Sequence, residues 1–336
     1  MERHYWSVIS LLICSIYLEA CDSPIKEETQ AFVISYQNIP TPERNTMDVE
    51  KVALGKMLFH ETILSQDSSI ACVHCHEPQY ANGENVALST KGVSHKKLQR
   101  NSPALINVAW AKGWFWDGGA KNIESLIFGP LTHEDEMNAD LKEILQRLNQ
   151  TPIYSTTFKE VFDVDEIQSA HLARALAQYV RSLLSNQTKY DAHLKGKYQF
   201  SKNEQRGFEI FNRNCQQCHT PPFFTDFNYH NNGLNKDDFF TDKNEGMNKG
   251  RGRITRTTKD NGKYKTPTLR HLNTSSPYMH DGRFATLDEV FDHYSNTIQK
   301  SATLDSLLKQ NIVLTEEDRM MLKEFLHTLD QPNSEI

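Results

Sequence analysis

The sequence lacks an excess of positive charge. Lysine and arginine number 37 against 43 aspartate and glutamate residues, which gives a formal net charge of -6 over 336 residues. A chain that binds nucleic acid usually carries a basic patch or a basic overall charge. Basic residues cluster within residues 249–256, but a short cluster of this kind is more often solvated surface or a guide for an acidic redox partner. The composition therefore argues against nucleic acid as a partner.

Beyond its N-terminus the chain also lacks an apolar run long enough to span a membrane. The run Trp6–Leu18 has signal-peptide length, and the segment Leu18-Glu19-Ala20-Cys21 follows it. This pattern resembles a bacterial lipoprotein signal, although Glu19 departs from the small residue usual there. We predict a signal peptide over residues 1–20, a lipidated Cys21, a linker over residues 21–46 and a periplasmic lipoprotein held at a membrane by its anchor. The alternative is an ordinary signal peptide cut nearby, with Cys21 a free thiol.

Cysteine is scarce, and four of the six cysteines fall in two pentapeptides. These are Cys72-Val73-His74-Cys75-His76 and Cys215-Gln216-Gln217-Cys218-His219. Two thiols at this spacing can add to the vinyl groups of one haem while the adjacent histidine binds its iron. A four-cysteine zinc site, a thioredoxin-like redox pair and local disulfides are the alternatives, but the zinc and redox interpretations leave the two histidines unexplained. We predict two covalently bound haem c groups.

Apolar alternation with a period of two is absent as well, so we predict a mainly α fold. Apolar residues repeat at helical spacing within residues 49–58, 141–148 and 166–184, and a helix over 204–212 should present the second motif. Thr286–Glu289 and Thr315–Asp318 have the capping-box pattern that begins helices. The polar segments 77–103 and 230–265 are predicted to be long loops.

The wide separation of the two pentapeptides predicts two cytochrome c-like haem domains. We place the N-terminal domain at residues 47–198 and the C-terminal domain at residues 199–336. A chain of this length can bury a separate core around each haem.

Further motifs surround the pentapeptides. In the first half they are Gly55–Phe59, Ser69–Ala71, Arg100–Pro103, Phe115–Gly118, Gly129-Pro130 and Glu136-Met137, and in the second half Thr266–Arg270, Pro277–Gly282 and Thr286–Val290. Over about residues 48–330 their order and spacing resemble the bacterial di-haem cytochrome c peroxidase family. The resemblance implies an N-terminal haem that reacts with hydrogen peroxide and a C-terminal haem that takes electrons from a small redox protein, a cytochrome c or a cupredoxin. It also implies a homodimer.

The resemblance also identifies candidates around the first haem. Peroxidases of the family carry a distal histidine where this chain has Val93, so we predict an open sixth position on the iron held by His76. His95 is the remaining candidate ligand there. Glu136, directly before a methionine, matches the family's catalytic acid-base residue, and Glu134 and Asp135 are its competitors.

Two further expectations come from the resemblance. Trp116 matches the tryptophan that lies between the haems and can relay electrons, whereas Trp110 and Trp114 are expected to pack. Asn101 and the backbone carbonyl groups of Ser275 and Pro277 match the family's calcium site, and their oxygen atoms are suitable calcium ligands.

The expected second-haem ligand separates two branches of the family. Fourteen residues beyond His280, where the peroxidases have methionine, this chain has Tyr294, and relatives of the methylamine-utilisation enzyme (MauG-like) have a tyrosine ligand there. His293 and Met279 are the alternative ligands.

We predict a cytochrome-c peroxidase that reduces hydrogen peroxide to water. A MauG-like oxidase that modifies a partner protein through high-valent haem is the alternative, favoured by Val93 and Tyr294. A non-catalytic electron-transfer cytochrome is the third interpretation, which Glu136 beside an open haem disfavours.

Overall fold

The computed structural model of the protein describes Met1 and residues 32–331. The predicted signal peptide, Cys21 and the first part of the predicted linker lie outside the described residues. Within the described part, none of the helices is both long enough and apolar enough to cross a membrane.

The fold is mainly helical, as predicted. The α-helices are α1 Val49–Phe59, α2 Ile123–Thr132, α3 Leu141–Gln150, α4 Pro152–Phe162, α5 Ser169–Ser182, α6 Lys189–Leu194, α7 Lys202–Asn214, α8 Arg251–Thr255, α9 Leu287–Asp292 and α10 Glu316–His327. Short 3-10 turns lie at Tyr36–Asn38, Glu43–Asn45, Thr62–Leu64, Cys72–His74, Pro78–Tyr80, Val108–Trp110, Asp237–Phe239, Asn244–Lys249, Thr258–Asp260 and Ser306–Leu308. A π-helical turn, His293–Thr297, continues α9.

Periodicity and capping located six helices correctly. The predicted helices over 49–58, 141–148, 166–184 and 204–212 correspond to α1, α3, α5 and α7, with ends that differ by a few residues. Both capping boxes are confirmed, since Thr286 caps α9 and Thr315 caps α10 through their side-chain oxygens. These signals are local, so the sequence alone suffices to find them.

The segment 230–265 differs from the predicted simple surface loop. Its ends form a two-stranded antiparallel sheet, β1 Tyr229–His230 and β2 Tyr264–Lys265, in which Tyr229 lies opposite Lys265. Helix α8 lies inside the segment and packs on the chain near Trp116 through Arg251 and Arg253. The polar composition reflects these ion pairs and turns and not full exposure to water.

The buried apolar side chains form two clusters. One is built from residues between Leu54 and Leu183 and centres on the packing of α1 against α5. The other is built from residues between Tyr190 and Leu329 and centres on α7 against α10. The first motif follows α1 and the second follows α7, so each motif comes after a helix that is fixed by core packing.

A glycine lets the backbones approach closely in each helix pair. A Cβ atom at Gly55 would lie 2.1 Å from the carbonyl oxygen of Ala175, and one at Gly207 would lie 2.0 Å from that of Met321. Neither position tolerates a side chain without separating the helices. A close glycine-to-backbone contact therefore fixes the helix ahead of each motif.

Candidate functional site

Both pentapeptides form compact turns, and none of their four cysteines is paired in a disulfide. In the first, the amide of His76 donates to the carbonyl oxygen of Cys72 over 3.0 Å, and in the second that of His219 donates to Cys215 over 2.9 Å. Burial raises the pKa of Cys72 and Cys215 to about 12. The turns hold each pair of thiols and its histidine on the same short stretch of chain, as attachment to one porphyrin requires.

The two motif histidines have the same hydrogen-bond arrangement. His76 Nδ1 lies 2.9 Å from the carbonyl oxygen of Asn82, and His219 Nδ1 lies 3.1 Å from that of Phe224. A carbonyl oxygen can only accept, so Nδ1 carries the proton in each ring and Nε2 keeps its lone pair. Burial lowers the pKa of both imidazoles and keeps them neutral. Each ring is therefore oriented as a metal ligand held by a second partner.

The charge of the Glu136 carboxylate acts on the first motif. Burial raises the pKa of the Cys72 and Cys75 thiols, Glu84 adds to the rise at Cys75, and Glu136 adds to it at both. The Glu136 side chain is 34% exposed. Burial nevertheless raises the pKa of the carboxyl, and the charge of Asp135 acts in the same direction while His133 opposes it. A carboxyl group with a raised pKa is suited to both accepting and returning a proton.

The two competing acids are placed differently. Glu134 is exposed. Asp135 accepts a hydrogen bond from Ser94 over 2.9 Å and lies 3.6 Å from the ammonium group of Lys96. The charge of Glu136 contributes to the raised pKa of the motif thiols, whereas the Asp135 carboxylate interacts with Ser94 and Lys96.

The loop that carries position 93 packs directly on the acid-base candidate. The amide of Val93 donates to the carbonyl oxygen of Glu136 over 2.8 Å, and the Val93 side chain packs against the first apolar cluster. His95 is exposed, with a backbone φ of 55°. The structure thus places the aliphatic residue Val93 in contact with Glu136 and leaves His95 exposed to solvent.

Trp116 lies between two cavities. One cavity has a volume of about 180 Å3 and the other about 390 Å3, and both are lined by Trp116 and His219. The indole is 8% exposed and its Nε1 donates to the carbonyl oxygen of Asn101 over 2.8 Å. Trp114 is part of the first apolar cluster, and Trp110 packs on Phe223 with ring centroids 4.9 Å apart.

Tyr294 lines both cavities. It belongs to the π-helical turn, a type of distortion that often marks functional positions. Burial raises the pKa of its phenol to about 12, and the thiols of Cys215 and Cys218 act in the same direction. The structure therefore brings the predicted second-haem ligand into the same cavity as His219.

The two alternative ligands have other partners. His293 is 2% exposed, with Nε2 2.9 Å from the carbonyl oxygen of Asn232 and Nδ1 3.3 Å from Thr297 Oγ1. Met279 lines both cavities, and its sulfur accepts a hydrogen bond from Asn232 over 3.4 Å. Both His293 nitrogens are engaged, so of the two alternatives Met279 is the one with an available donor atom.

The predicted calcium ligands line the smaller cavity together. Asn101, Ser275 and Pro277 are all part of its wall. The Asn101 amide nitrogen donates to the carbonyl oxygens of Val86 and Ala87 over 2.9 and 3.3 Å, which leaves its side-chain oxygen free to face a cation. Within the described residues, no group of three or more His, Cys, Asp or Glu side chains is placed to hold a metal ion. A calcium site here would therefore depend on amide and carbonyl oxygens.

Sequence reasoning missed two features near these cavities. Lys265 lines both cavities directly ahead of the Thr266–Arg270 motif. Asp117 is 1% exposed and pairs with Arg100 and Arg253. Asp117 belongs to the Phe115–Gly118 motif, but its partners are distant in sequence, so no local pattern identifies these ion pairs.

The larger cavity fits a haem held by the second motif. Its walls combine the two thiols and the imidazole of that motif with apolar side chains, among them Phe211, Leu272, Phe291, Leu322 and Leu326. A tetrapyrrole needs this combination of an axial nitrogen, two nearby thiols and apolar faces. The first motif meets the same chemical requirement, because Cys72, Val73 and Val93 pack against the first apolar cluster.

Comparison with known proteins agrees with this fit. Residues 49–199 match the family described as di-haem cytochrome c peroxidase. The chain is 32% identical to the methylamine utilization protein MauG of Methylophilus methylotrophus, over 98% of this chain and 95% of that one. It is 30% identical to the cytochrome c551 peroxidase of Nitrosomonas europaea, over 88% of this chain and 84% of that one. A crystal structure of a MauG-like protein associated with microbial copper homeostasis superposes with a TM-score of 0.79 at 29% identity, covering 86% of this chain and 92% of that one.

Proposed function

This chain belongs to the di-haem cytochrome c peroxidase family, and on that premise we propose that it is a cytochrome-c peroxidase. The reaction reduces hydrogen peroxide to two water molecules and consumes two electrons and two protons. The electrons come from a small redox protein, a cytochrome c or a cupredoxin. The observation that carries the proposal is the hydrogen bond that joins Glu136 to Val93, whose side chain packs on the same apolar cluster as Cys72 and Val73 of the first motif.

Two haem c groups are the cofactors. Cys72, Cys75 and His76 would hold one, and Cys215, Cys218 and His219 the other. When bound, each haem supplies an iron that exchanges electrons, and the first supplies the site for peroxide. The two apolar clusters support a division into an N-terminal peroxidatic domain and a C-terminal electron-transfer domain, with a boundary between Leu183 and Tyr190 that is earlier than the one predicted between residues 198 and 199.

Glu136 acts as the acid-base residue. Its carboxylate takes the proton from one oxygen of hydrogen peroxide and returns it to the other, so that water leaves as the O–O bond breaks. The raised pKa of this carboxyl favours the first transfer, because it makes the carboxylate a stronger base. Val93 presents no ligating atom beside it, which supports an open site for peroxide.

Trp116 and Tyr294 serve the second motif. Trp116 lines both cavities and relays electrons toward the first motif through its π system. Tyr294 would supply the second protein ligand to the haem iron held by His219, a role supported by its place in the same cavity wall. A phenolate oxygen donates more electron density than a thioether and lowers the potential of the site.

The protein would work outside the cytoplasm, with a bound calcium ion and as a homodimer. Covalent haem attachment agrees with export to the periplasm, where Cys21 would carry the lipid anchor. Calcium would bind at Asn101, Ser275 and Pro277, which share one cavity wall. Association into a homodimer follows the family pattern.

A steady-state assay tests the proposed function. Holoprotein with both haems attached is mixed with hydrogen peroxide and reduced cytochrome c, and oxidation of the donor is followed by absorbance. Turnover on the order of 1–10³ per second is expected for an enzyme. Cupredoxin replaces cytochrome c as donor in a parallel assay, and absence of turnover with both would contradict a peroxidase.

A MauG-like oxidase that modifies a partner protein is the second candidate. Val93 and Tyr294 favour it, as does the 32% identity with the methylamine utilization protein. The same assay separates the two functions, since the oxidase would show negligible turnover with a small donor while still reacting with one equivalent of peroxide. A haem spectrum that does not change on peroxide addition would favour the third interpretation, an electron carrier.

A further inference from the structure

Lys265 occupies an unusual position between the two cavities. It lies in β2, and its backbone amide donates to the carbonyl oxygen of Trp116 over 2.8 Å. Its side chain lines both the smaller and the larger cavity. The residue is thus fixed by its backbone next to the tryptophan, in the wall that the two cavities share.

The ammonium group has no counter-charge among the side chains that the structure describes. Burial alone lowers the pKa of Lys265 to about 8, without a contribution from any acidic neighbour. Lys265 is partly buried, and a cation shielded from water without an anionic partner is unfavourable. An anion that is not part of the surrounding polypeptide would therefore stabilise the charged form of Lys265.

Two other cationic side chains in the cavity walls are already compensated, and a third, Arg213 in the larger cavity, is exposed to solvent. Arg270 donates to both carboxylate oxygens of Asp191 over 2.7 and 2.8 Å. His230 lies 2.9 Å from Asp226 and 2.6 Å from Asp305. Lys265 differs from both, because its charge remains available to a ligand in the cavity.

The required anion has the chemistry of the haem's own carboxylates. A haem attached at Cys215 and Cys218 would bring two propionate groups into a region whose other walls are largely apolar. We propose that the ammonium group of Lys265 pairs with a propionate carboxylate of this second haem and raises that haem's reduction potential. This inference rests on the proposed attachment of haem at the second motif.

The direction of the effect follows from electrostatics. Reduction adds an electron to the haem, and a fixed positive charge nearby stabilises the more negative reduced form. The effect is largest where water is excluded, as at a buried carboxylate pair. Lys265 would offset part of the lowering of potential that a Tyr294 phenolate causes.

The test measures the reduction potentials of both haems by spectroelectrochemical titration of the holoprotein. Lys265→Met is expected to lower the potential of the second haem, whereas Lys265→Arg should keep it near the wild-type value. Lys263→Met is the matched control, because it removes the same charge only two residues from Lys265. Lys263 itself is partly exposed and pairs with Asp260 over 3.0 Å. An unchanged second-haem potential in Lys265→Met, or a shift confined to the first haem, would overturn the assignment.

A second measurement covers the case in which Lys265→Met does not retain its haem. Resonance Raman spectra of the wild type and Lys265→Arg report the propionate-bending band, which responds to the donor that holds the carboxylate. If the band shifts in Lys265→Arg while the reduction potential of the second haem stays near the wild-type value, the result supports the pairing. A band at the same frequency in both proteins contradicts it. The haem content of the wild type is measured separately, so a chain with fewer than two haems would contradict the proposed cofactors and not the role of Lys265.

Discussion

Arg253 donates from a guanidinium nitrogen to the carboxylate of Asp117 over 2.8 Å, and so ties helix α8 to the segment that carries Trp116. Arg100 lies 3.1 Å from the same carboxylate. Arg251 adds hydrogen bonds to the carbonyl oxygens of Asp117 and Gly118 over 3.0 and 3.1 Å. A single buried acid thus holds together parts of the chain that are more than a hundred residues apart.

We expect Asp117→Asn to destabilise the holoprotein. The substitution leaves Arg100 and Arg253 without their shared counter-charge, and loss of one partner of a buried pair costs about 3–5 kcal/mol. Chemical denaturation followed by far-UV circular dichroism measures the free energy of unfolding. Asp165→Asn is the control, since Asp165 is exposed and pairs with Lys159 at the surface; it should leave the free energy unchanged. Equal stability of the two variants would show that the Asp117 pairs contribute nothing.

Glu136→Gln should lower the kcat of peroxide reduction by about 10²–10⁴-fold. Glutamine preserves the size of the side chain but cannot accept a proton. The initial rate at saturating peroxide measures the effect. Glu134→Gln is the matched control, because this neighbouring glutamate is exposed and should be replaceable without loss. If Glu136→Gln kept most of the rate, the acid-base assignment would be wrong.

The acid side of the pH–rate profile should report the same carboxyl group. Glu136 must be deprotonated to accept a proton, so the rate falls as the pH drops through its pKa. Burial raises that pKa, so the fall begins at higher pH than for an ordinary glutamate, and the charge of Asp135 contributes to the rise. Asp135→Asn should therefore move the acid limb of kcat to lower pH. A limb that stayed in place in Asp135→Asn and persisted in Glu136→Gln would point to another group.

Tyr294→Phe should change the absorption spectrum of the second haem and raise its reduction potential. The reason is that phenylalanine removes the phenolate oxygen, which donates electron density to the iron. Tyr264→Phe is the control, since Tyr264 lines the same larger cavity and carries the same hydroxyl group. An unaltered spectrum in Tyr294→Phe would transfer the ligand role to Met279, whose sulfur also lines the cavity.

Helices with weak local signals were not predicted. Helix α4 contains Ile153, Thr156 and Thr157, whose branched side chains disfavour a helix, and it is held by the buried rings of Tyr154 and Phe158. Helix α2 carries Pro130 inside its last turn and buries Ile123, Ile127 and Leu131. Packing against the rest of the chain overrides propensity in both helices.

The choice among three consecutive acids also required the fold. Glu134, Asp135 and Glu136 are adjacent in sequence, and the resemblance to the family alone favoured the third. Of the three acids, Glu136 is the one whose charge acts on the motif thiols, because the chain turns after His133 and presents neighbouring side chains to different surroundings. The chemistry of each acid is therefore set by what surrounds it.

The sequence by itself determined the parts of this protein that depend on neighbouring residues. Those are the two haem-attachment motifs, the capping boxes at Thr286 and Thr315, and the helices with clear apolar periodicity. Only the tertiary structure decided which charges are paired. It joined Asp117 to Arg253 and left Lys265 without a described partner. The physical reason is that a charge is stabilised by groups close in space, and here those groups come from distant parts of the chain.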